Sequence, residues 1–296
     1  MSVVFDCVTL FQTVMDLILL FIFGAAIGSF SGVVSDRYRE DLPIWDKKII
    51  GGRSRCEFCK KQLSWFELIP FFSFLFQKGK CRACRRWIGW RYLFFETASG
   101  LIFISVPFGI KTFYLLPASY YLMSSLWISV FSVLFLVSLI DYRLRIIPDE
   151  ANLILVILGA LITYFQPFSE TTGSFIGHYA MLFGLRSGAW VNHLSASVIA
   201  GLFFAALILI TKGRGMGGGD MKLVAAMGLV FGWPDIIFVA VISFVIGSIF
   251  GVGAILARKE KLKSRIAFGP FLAVSGLIVF MFGYQITSFY FGLFSI

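Results

Sequence analysis

Apolar segments long enough to cross a lipid bilayer recur along the whole chain, and they limit the folds available to it. A spanning helix needs about 20 apolar residues for roughly 30 Å of hydrocarbon, and only helices or closed barrels satisfy their backbone hydrogen bonds there. Charged residues are only 14% of the 296 residues, against about 25% in soluble domains. The sequence predicts an all-α, polytopic membrane protein with about eight transmembrane helices. The predicted spans are residues 8–30, 93–110, 117–140, 151–166, 193–211, 221–233, 235–257 and 268–290.

The positive charge is confined to alternate loops. Residues 31–92, 141–150, 212–222 and 258–265 together hold 24 of the 26 Lys and Arg residues. This is the distribution of the positive-inside rule, so we expect these loops in the cytoplasm and the N-terminus outside. The net charge of +10 then favours anionic lipid as the partner and gives no indication of nucleic acid. The first span is too long for a signal peptide, and it lacks a basic start and a cleavage site.

The chain is predicted to have three parts. Residues 1–35 form the first transmembrane helix, 36–92 form the only sizeable water-facing insert, and 93–296 form the transmembrane core. Within the insert, an apolar stretch at 68–72 is too short to span and is interrupted by Pro70. We expect this stretch to rest at the membrane interface. In the first span Gly24, Gly28 and Gly32 recur every four residues, which favours close helix packing in lipid.

Four of the five cysteines form two matched pairs in the insert: Cys56-x-x-Cys59 and Cys81-x-x-Cys84. Two such knuckles at this separation are typical of four thiolates around Zn²⁺. Thiols in the cytoplasm stay reduced, so disulfides are not expected. A site with four cysteines leaves no open coordination position, so the zinc is predicted to be structural and to contribute to folding of the insert.

Two aspartates border apolar runs at their predicted cytoplasmic ends. Asp141 follows the third span, and Asp220 precedes the sixth, after Gly217-Gly218-Gly219. Carboxylates in this setting are candidate functional groups. If the two meet, one pKa rises and the pair shares a proton, as general acid–base hydrolysis requires. The alternatives are structural: Asp220 as a helix cap, and Asp141 facing headgroups or pairing with Arg143 or Arg145. Asp149 is expected to cap the fourth span.

The ordered set of motifs resembles the type IV prepilin peptidases, also called leader peptidases. The matching elements are Gly28-Ser29-Phe30 leading to Arg37, the two cysteine knuckles, Trp65-x-Glu67-x-Ile69-Pro70, Arg91-Tyr92-x-x-x-Glu96, Ser138-Leu139-Ile140-Asp141, Ile147-Pro148-Asp149, Gly215-Met216-Gly217-x-Gly219-Asp220-x-Lys222-Leu223 and Phe268-Gly269-Pro270. The Gly-x-Gly-Asp element alone would be weak, but the ordered set is specific.

The resemblance implies an aspartic endopeptidase of the bacterial inner membrane. Such enzymes cleave the basic leader from prepilins or pseudopilins at the cytoplasmic face, and the family's two catalytic aspartates match Asp141 and Asp220. Many members also N-methylate the new N-terminus with S-adenosylmethionine, typically those that keep the four-cysteine insert. The sequence does not locate the methyl-donor site, although Glu67 and Glu96 are candidates.

Some positions depart from the family pattern. Ser31-Gly32 stands where many members have Leu-Asn, the first knuckle lacks a common Pro, and Arg214 replaces a frequent acidic residue. None of these removes a predicted zinc thiolate or an active-site carboxylate. Gly32 replaces this Asn in a segment that supplies neither carboxylate, so an effect of the replacement is expected on methyl transfer.

The sequence is also compatible with two rival functions. A non-enzymatic assembly factor of a pilus or secretion system would use the zinc insert for docking and would tolerate Asp141→Asn. A proton-coupled transporter would need carboxylates near the bilayer midplane, whereas Asp141 and Asp220 are predicted at span ends.

Overall fold

The computed structural model describes residues 2–56, 58–111, 117–166, 174–184, 188–213, 215–257 and 266–293. Side chains are described from residue 15 onward, apart from those of residues 111, 117 and 118. The Cys7 side chain, Arg214 and the basic loop 258–265 lie outside this description. Within it the fold is helical, as predicted, and the only strand-like pairings are two isolated bridges.

Ten helices are found in the described segments. Their bounds are α1 Ser2–Arg37, α2 Lys47–Ile50, α3 Phe72–Phe76, α4 Arg91–Lys111, α5 Pro117–Leu144, α6 Asp149–Phe165, α7 Ala189–Ile210, α8 Gly218–Phe231, α9 Asp235–Leu256 and α10 Gly269–Gly292. Two 3₁₀ segments, Trp65–Glu67 and Gly177–Phe183, join them. The chain divides into two compact units, Met1–Phe108 and Gly109–Ile296.

Six helices in the described part of the chain are long and apolar enough to cross a membrane. They are Met15–Arg37, Arg91–Ile110, Ser119–Leu144, Ala189–Ile210, Asp235–Leu256 and Gly269–Gly292. The remaining two predicted spans fall on α6 and α8, which have 17 and 14 residues. At 1.5 Å per residue these helices reach only about 25 and 21 Å. The protein is therefore a multi-pass membrane protein, but the predicted count of eight spans is not confirmed.

In the first unit, the glycines of α1 lie against α4. A Cβ added at Gly28 would stand 2.4 Å from the Phe95 carbonyl oxygen, and one at Gly24 would stand 2.7 Å from the Phe103 ring. On α4, a Cβ at Gly100 would meet the Phe21 ring at 2.6 Å. The predicted close packing therefore occurs, with small residues on both helices.

The insert that connects α1 to α4 contains little regular structure. Its first turns are held by Arg37, the last residue of α1, whose guanidinium donates to the carbonyls of Ile49, Gly51 and Arg53. Beyond these turns Trp65, Leu75 and Phe76 are 78%, 68% and 83% exposed. Such apolar exposure suits a segment that faces lipid headgroups.

In the second unit, α8 is the central helix. It packs against α6 and α7, and every residue from Ala226 to Phe231 is buried. Gly159 of α6 and Gly228 of α8 allow this, because a Cβ at Gly228 would stand 2.7 Å from the Ser197 Cα. An aromatic cluster closes the other end of the bundle, with Trp127, Phe175 and Phe280 centroids 4.8–5.1 Å apart. This packing holds α8 in place, and it therefore holds the position of Asp220 in the first turn of that helix.

Candidate active site and candidate metal centre

Asp141 lies in the last turn of α5 and is only 4% exposed. Its Oδ2 atom accepts a hydrogen bond of 2.8 Å from the backbone N–H of Gly269, the first residue of α10. A Cβ at position 269 would lie 2.8 Å from the same oxygen. Glycine therefore lets the start of α10 approach the carboxylate closely enough to orient it.

Asp220 is the third residue of α8. Its Oδ2 accepts a 3.0 Å hydrogen bond from the backbone N–H of Gly217. Gly217 occupies the cap position, so Asp220 is not itself the cap and instead makes the return bond of a capping box. Desolvation raises the pKa of Asp220 to about 6; the Gly217 N–H opposes this and the charge of Asp141 adds to it. Capping and chemistry are compatible here, because the second carboxylate oxygen is not used by the cap.

The elements that carry the two aspartates meet beside them. A Cβ on Gly219 would lie 3.3 Å from Ile147, in the turn after α5. Lys222 of α8 places its Nζ 2.8 Å from both carboxylate oxygens of Asp149. The two carboxylates, 79 residues apart in sequence, are thus close enough for the charge of Asp141 to raise the pKa of Asp220. One protonated and one ionised member could together activate a water and polarise a carbonyl.

The interpretation of Asp149 as a helix cap is wrong. Pro148 occupies the cap position, and Asp149 is the first helical residue. Its carboxylate is drawn away from the helix end by Lys222. The Asp149 carboxylate still stabilises the N-terminus of α6 through the helix dipole, but its specific contact is to Lys222 of α8.

The four predicted cysteines form one cluster. Their Sγ atoms all lie within 4.8 Å of one another, so the cluster could hold a metal ion. The Cys56–Cys84 and Cys59–Cys81 sulfur separations are both 3.9 Å. Four sulfurs about 2.3 Å from a tetrahedral Zn²⁺ would be separated by about 3.8 Å. The geometry therefore fits zinc.

The two knuckles share one backbone pattern. The Cys56 N–H donates to the Lys61 carbonyl, and the Cys56 carbonyl accepts from the Lys60 N–H. Cys81 repeats this with Arg86 and Arg85. The bridges Arg55–Gln62 and Lys80–Trp87 close the two turns. Lys60 and Arg85, at equivalent positions, both have positive φ, at 59° and 55°.

The crowded sulfurs explain why this cluster suits a cation. Backbone N–H groups of Cys84 and Ala83 lower the pKa of Cys81 to about 7. At Cys59 the Lys61 N–H acts in the same direction, but desolvation and the neighbouring sulfurs outweigh it and raise the pKa to about 11. Four thiolates repel one another, and a divalent metal removes that repulsion.

A cavity adjoins the cysteine cluster, entirely within the first unit. Its lining comes from α1, the insert and the start of α4, and includes Cys56 and Cys81. Glu67 and Glu96, the two acids singled out in the sequence, both line it, and both are 6% exposed. Ser64 N–H donates to Glu67 at 2.8 Å, and Phe71 N–H donates to Glu96 at 3.0 Å.

Two contacts of these sites are not predictable from the motifs in the sequence. The Gly269 N–H bond to Asp141 spans 128 residues, and only the Phe-Gly-Pro motif marks its position. The cavity is assembled from three separate segments, so no single motif indicates it. Asp36 at its edge accepts from Arg91 and Tyr92, and the Arg91-Tyr92 pair was the available signal.

Comparison with known proteins assigns both parts of the chain. Residues 22–109 match the family model of the bacterial peptidase A24 N-terminal domain, and residues 128–252 match that of the type IV leader peptidase family. Relatives named prepilin leader peptidase/N-methyltransferase occur in Bacillus subtilis (33% identical, covering 92% of this chain and 96% of the relative) and Aeromonas salmonicida (31%, 92% of each). A relative of the same name in Dichelobacter nodosus is 30% identical over 94% of this chain and 95% of its own. No solved structure matches significantly.

These features define a class of protein: helical, multi-pass membrane proteins with two neighbouring carboxylates and a four-cysteine centre. The chain belongs to the type IV leader peptidase family.

Proposed function

We propose that the protein removes the basic leader from type IV prepilins or pseudopilins and N-methylates the N-terminus that this exposes. Family membership and the printed names of relatives that cover nearly the whole chain support both activities. The observation that carries the peptidase assignment is the neighbouring pair, Asp141 held by Gly269 and Asp220 held by Gly217. The assembly-factor alternative is not favoured, because it gives the pair no use.

Asp141 and Asp220 are proposed to act as a shared-proton pair. The ionised carboxylate takes a proton from water as that water attacks the scissile carbonyl carbon. The protonated carboxylic acid donates to the carbonyl oxygen. The other carboxyl group then passes the proton it took from water to the leaving amine as the C–N bond breaks. Gly217, Gly218 and Gly219 leave the start of α8 without side chains, so an extended substrate strand can approach the pair.

The proposed orientation follows the positive charge. The aspartate pair and the insert face the cytoplasm of a bacterial inner membrane, with the N-terminus outside. The short helices α6 and α8 would complete eight crossings, shielded from lipid by α5, α7 and each other. A prepilin would keep its apolar helix in the bilayer while its basic leader remains in the cytoplasm.

The insert is proposed to hold structural zinc through Cys56, Cys59, Cys81 and Cys84. S-adenosylmethionine would supply the methyl group as a sulfonium donor. Under this proposal residues 1–35 anchor the insert, 36–92 carry the zinc, and 93–296 carry the peptidase chemistry.

The test is mass spectrometry of a purified prepilin incubated with the protein in detergent, with and without S-adenosylmethionine. We expect loss of the leader in both samples and a product one methyl group heavier only when the donor is present. If several different prepilins all remained uncleaved after incubation with folded protein, the peptidase assignment would be contradicted. Cleavage without any mass gain would contradict the methyltransferase assignment alone.

A further inference from the structure

We propose that the cavity of the first unit, beside the cysteine cluster, is the S-adenosylmethionine site, and that Glu67 contacts the bound donor. This inference rests on the proposed methyl transfer and deepens it by assigning the chemistry to residues. It also separates the two activities, because every residue lining the cavity lies between Ser29 and Glu96, whereas both proposed peptidase aspartates lie after residue 108.

The charges that face the cavity are unevenly satisfied. Asp36 is paired with Arg91 at 3.0 Å and with the Tyr92 hydroxyl at 2.8 Å. The Arg37 guanidinium is occupied by three backbone carbonyls. Two further carboxylates face the cavity: Glu67, whose Oε1 has only the ion pair with Lys61 Nζ at 3.6 Å, and Glu96, which accepts from Phe71 N–H.

Glu67 is the more informative of the two. Its side chain is 1% exposed, and its Oε2 accepts from Ser64 N–H. Its Oε1 is buried without a hydrogen-bond donor among the described residues, and the nearest cation, Lys61 Nζ, stands 3.6 Å away. A buried acceptor that lacks a hydrogen bond costs free energy of folding. A hydroxyl or ammonium group of a bound ligand would satisfy it.

The rest of the lining matches the other parts of the ligand. Phe58, Phe74 and Ile88 supply an apolar wall on which an adenine ring can stack. Arg55 is also a lining residue, and a guanidinium suits the carboxylate of the methionine portion. S-adenosylmethionine carries a sulfonium and an ammonium in addition, and carboxylates favour both.

The metal centre forms part of this wall. Cys56 and Cys81 line the cavity, and Phe58 lies inside the first knuckle. Metal binding would therefore shape the donor site without entering the reaction. In that reaction the N-terminal ammonium first loses a proton to water. The amine lone pair then forms the N–C bond as the C–S bond breaks, and the bonding pair stays on sulfur to give S-adenosylhomocysteine.

The experiment measures binding of S-adenosylhomocysteine to the full-length protein in detergent by isothermal titration calorimetry. Glu67→Gln should raise the Kd by about tenfold or more, because a hydrogen bond to a buried charge is lost. Ser73→Leu, which fills the cavity from its lining, should abolish binding. Glu40→Gln, which changes an exposed acid of the same unit, should bind like wild type.

Prepilin cleavage by each variant serves as the check of folding, and it should be unchanged. Ultraviolet cross-linking of labelled S-adenosylmethionine followed by peptide mapping should place the label within residues 29–96. Wild-type affinity in both Glu67→Gln and Ser73→Leu, or a label confined to residues 109–296, would overturn this site while leaving the proposed function intact. A wild-type protein that neither binds the donor nor methylates prepilin would instead overturn the methyltransferase function.

Discussion

Gly269 shows how a single backbone atom can orient a catalytic group. Its N–H donates to Asp141, and its lack of a side chain leaves the oxygen room. In Gly269→Ala a methyl group would stand 2.8 Å from Asp141 Oδ2, so the carboxylate must move. We expect kcat for prepilin cleavage to fall about tenfold or more with KM little changed, because small misplacements cost catalysis.

The matched control is Gly253→Ala on α9, where an added Cβ meets nothing within 4 Å. It should leave both kinetic constants unchanged. Equal kcat values for the two variants would contradict the orienting role of Gly269.

A substitution at Gly28 tests the packing of α1 against α4, again at the scale of a single residue. A Cβ there would come within 2.4 Å of the Phe95 carbonyl oxygen and 2.6 Å of Ser99 Cβ. We expect Gly28→Ala to destabilise the protein by about 1–3 kcal/mol, as overpacking does, with a lower unfolding temperature in detergent. Gly253→Ala should be neutral or slightly stabilising, since alanine is the better helix former. Indistinguishable melting curves would show that α1 and α4 do not meet as described.

At the scale of elements, the two knuckles should fold as one unit with their metal. Their turns are held by only a few backbone hydrogen bonds each, and the insert has little core of its own. We expect purified protein to carry about one zinc per chain and Cys81→Ser to lose most of it, because metal binding supplies folding energy. Protease should then cut within residues 36–92. Cys7→Ser removes a thiol outside the cluster and should keep the metal; full zinc content in Cys81→Ser would contradict the centre.

Local elements were the predictable ones. The cysteine knuckles and the glycine face of α1 could be predicted because each depends on spacing within a few turns. The Asp149 cap failed because a lysine 73 residues away competes for the carboxylate. The spans assigned to α6 and α8 were read from hydropathy alone, which does not distinguish a buried core helix from one that crosses lipid.

At the scale of the whole molecule, two proposed chemistries belong to two parts of one chain. One family match ends at residue 109 and the other begins at residue 128, and the boundary between the two compact units falls after residue 108. The sequence could place the acids and the thiols but not the cavity, since its walls come from segments tens of residues apart.

Separation of the two activities is the most direct test of this account. Asp141→Asn and Asp220→Asn would each be assayed by mass spectrometry on an intact prepilin and on a synthetic peptide that already has the mature N-terminus. We predict that both variants lose cleavage of the precursor by about 10³-fold or more yet methylate the mature peptide at the wild-type rate. Cleavage of the precursor by either variant at a near wild-type rate would contradict the aspartate mechanism. Loss of methylation of the mature peptide in folded protein would contradict the separation.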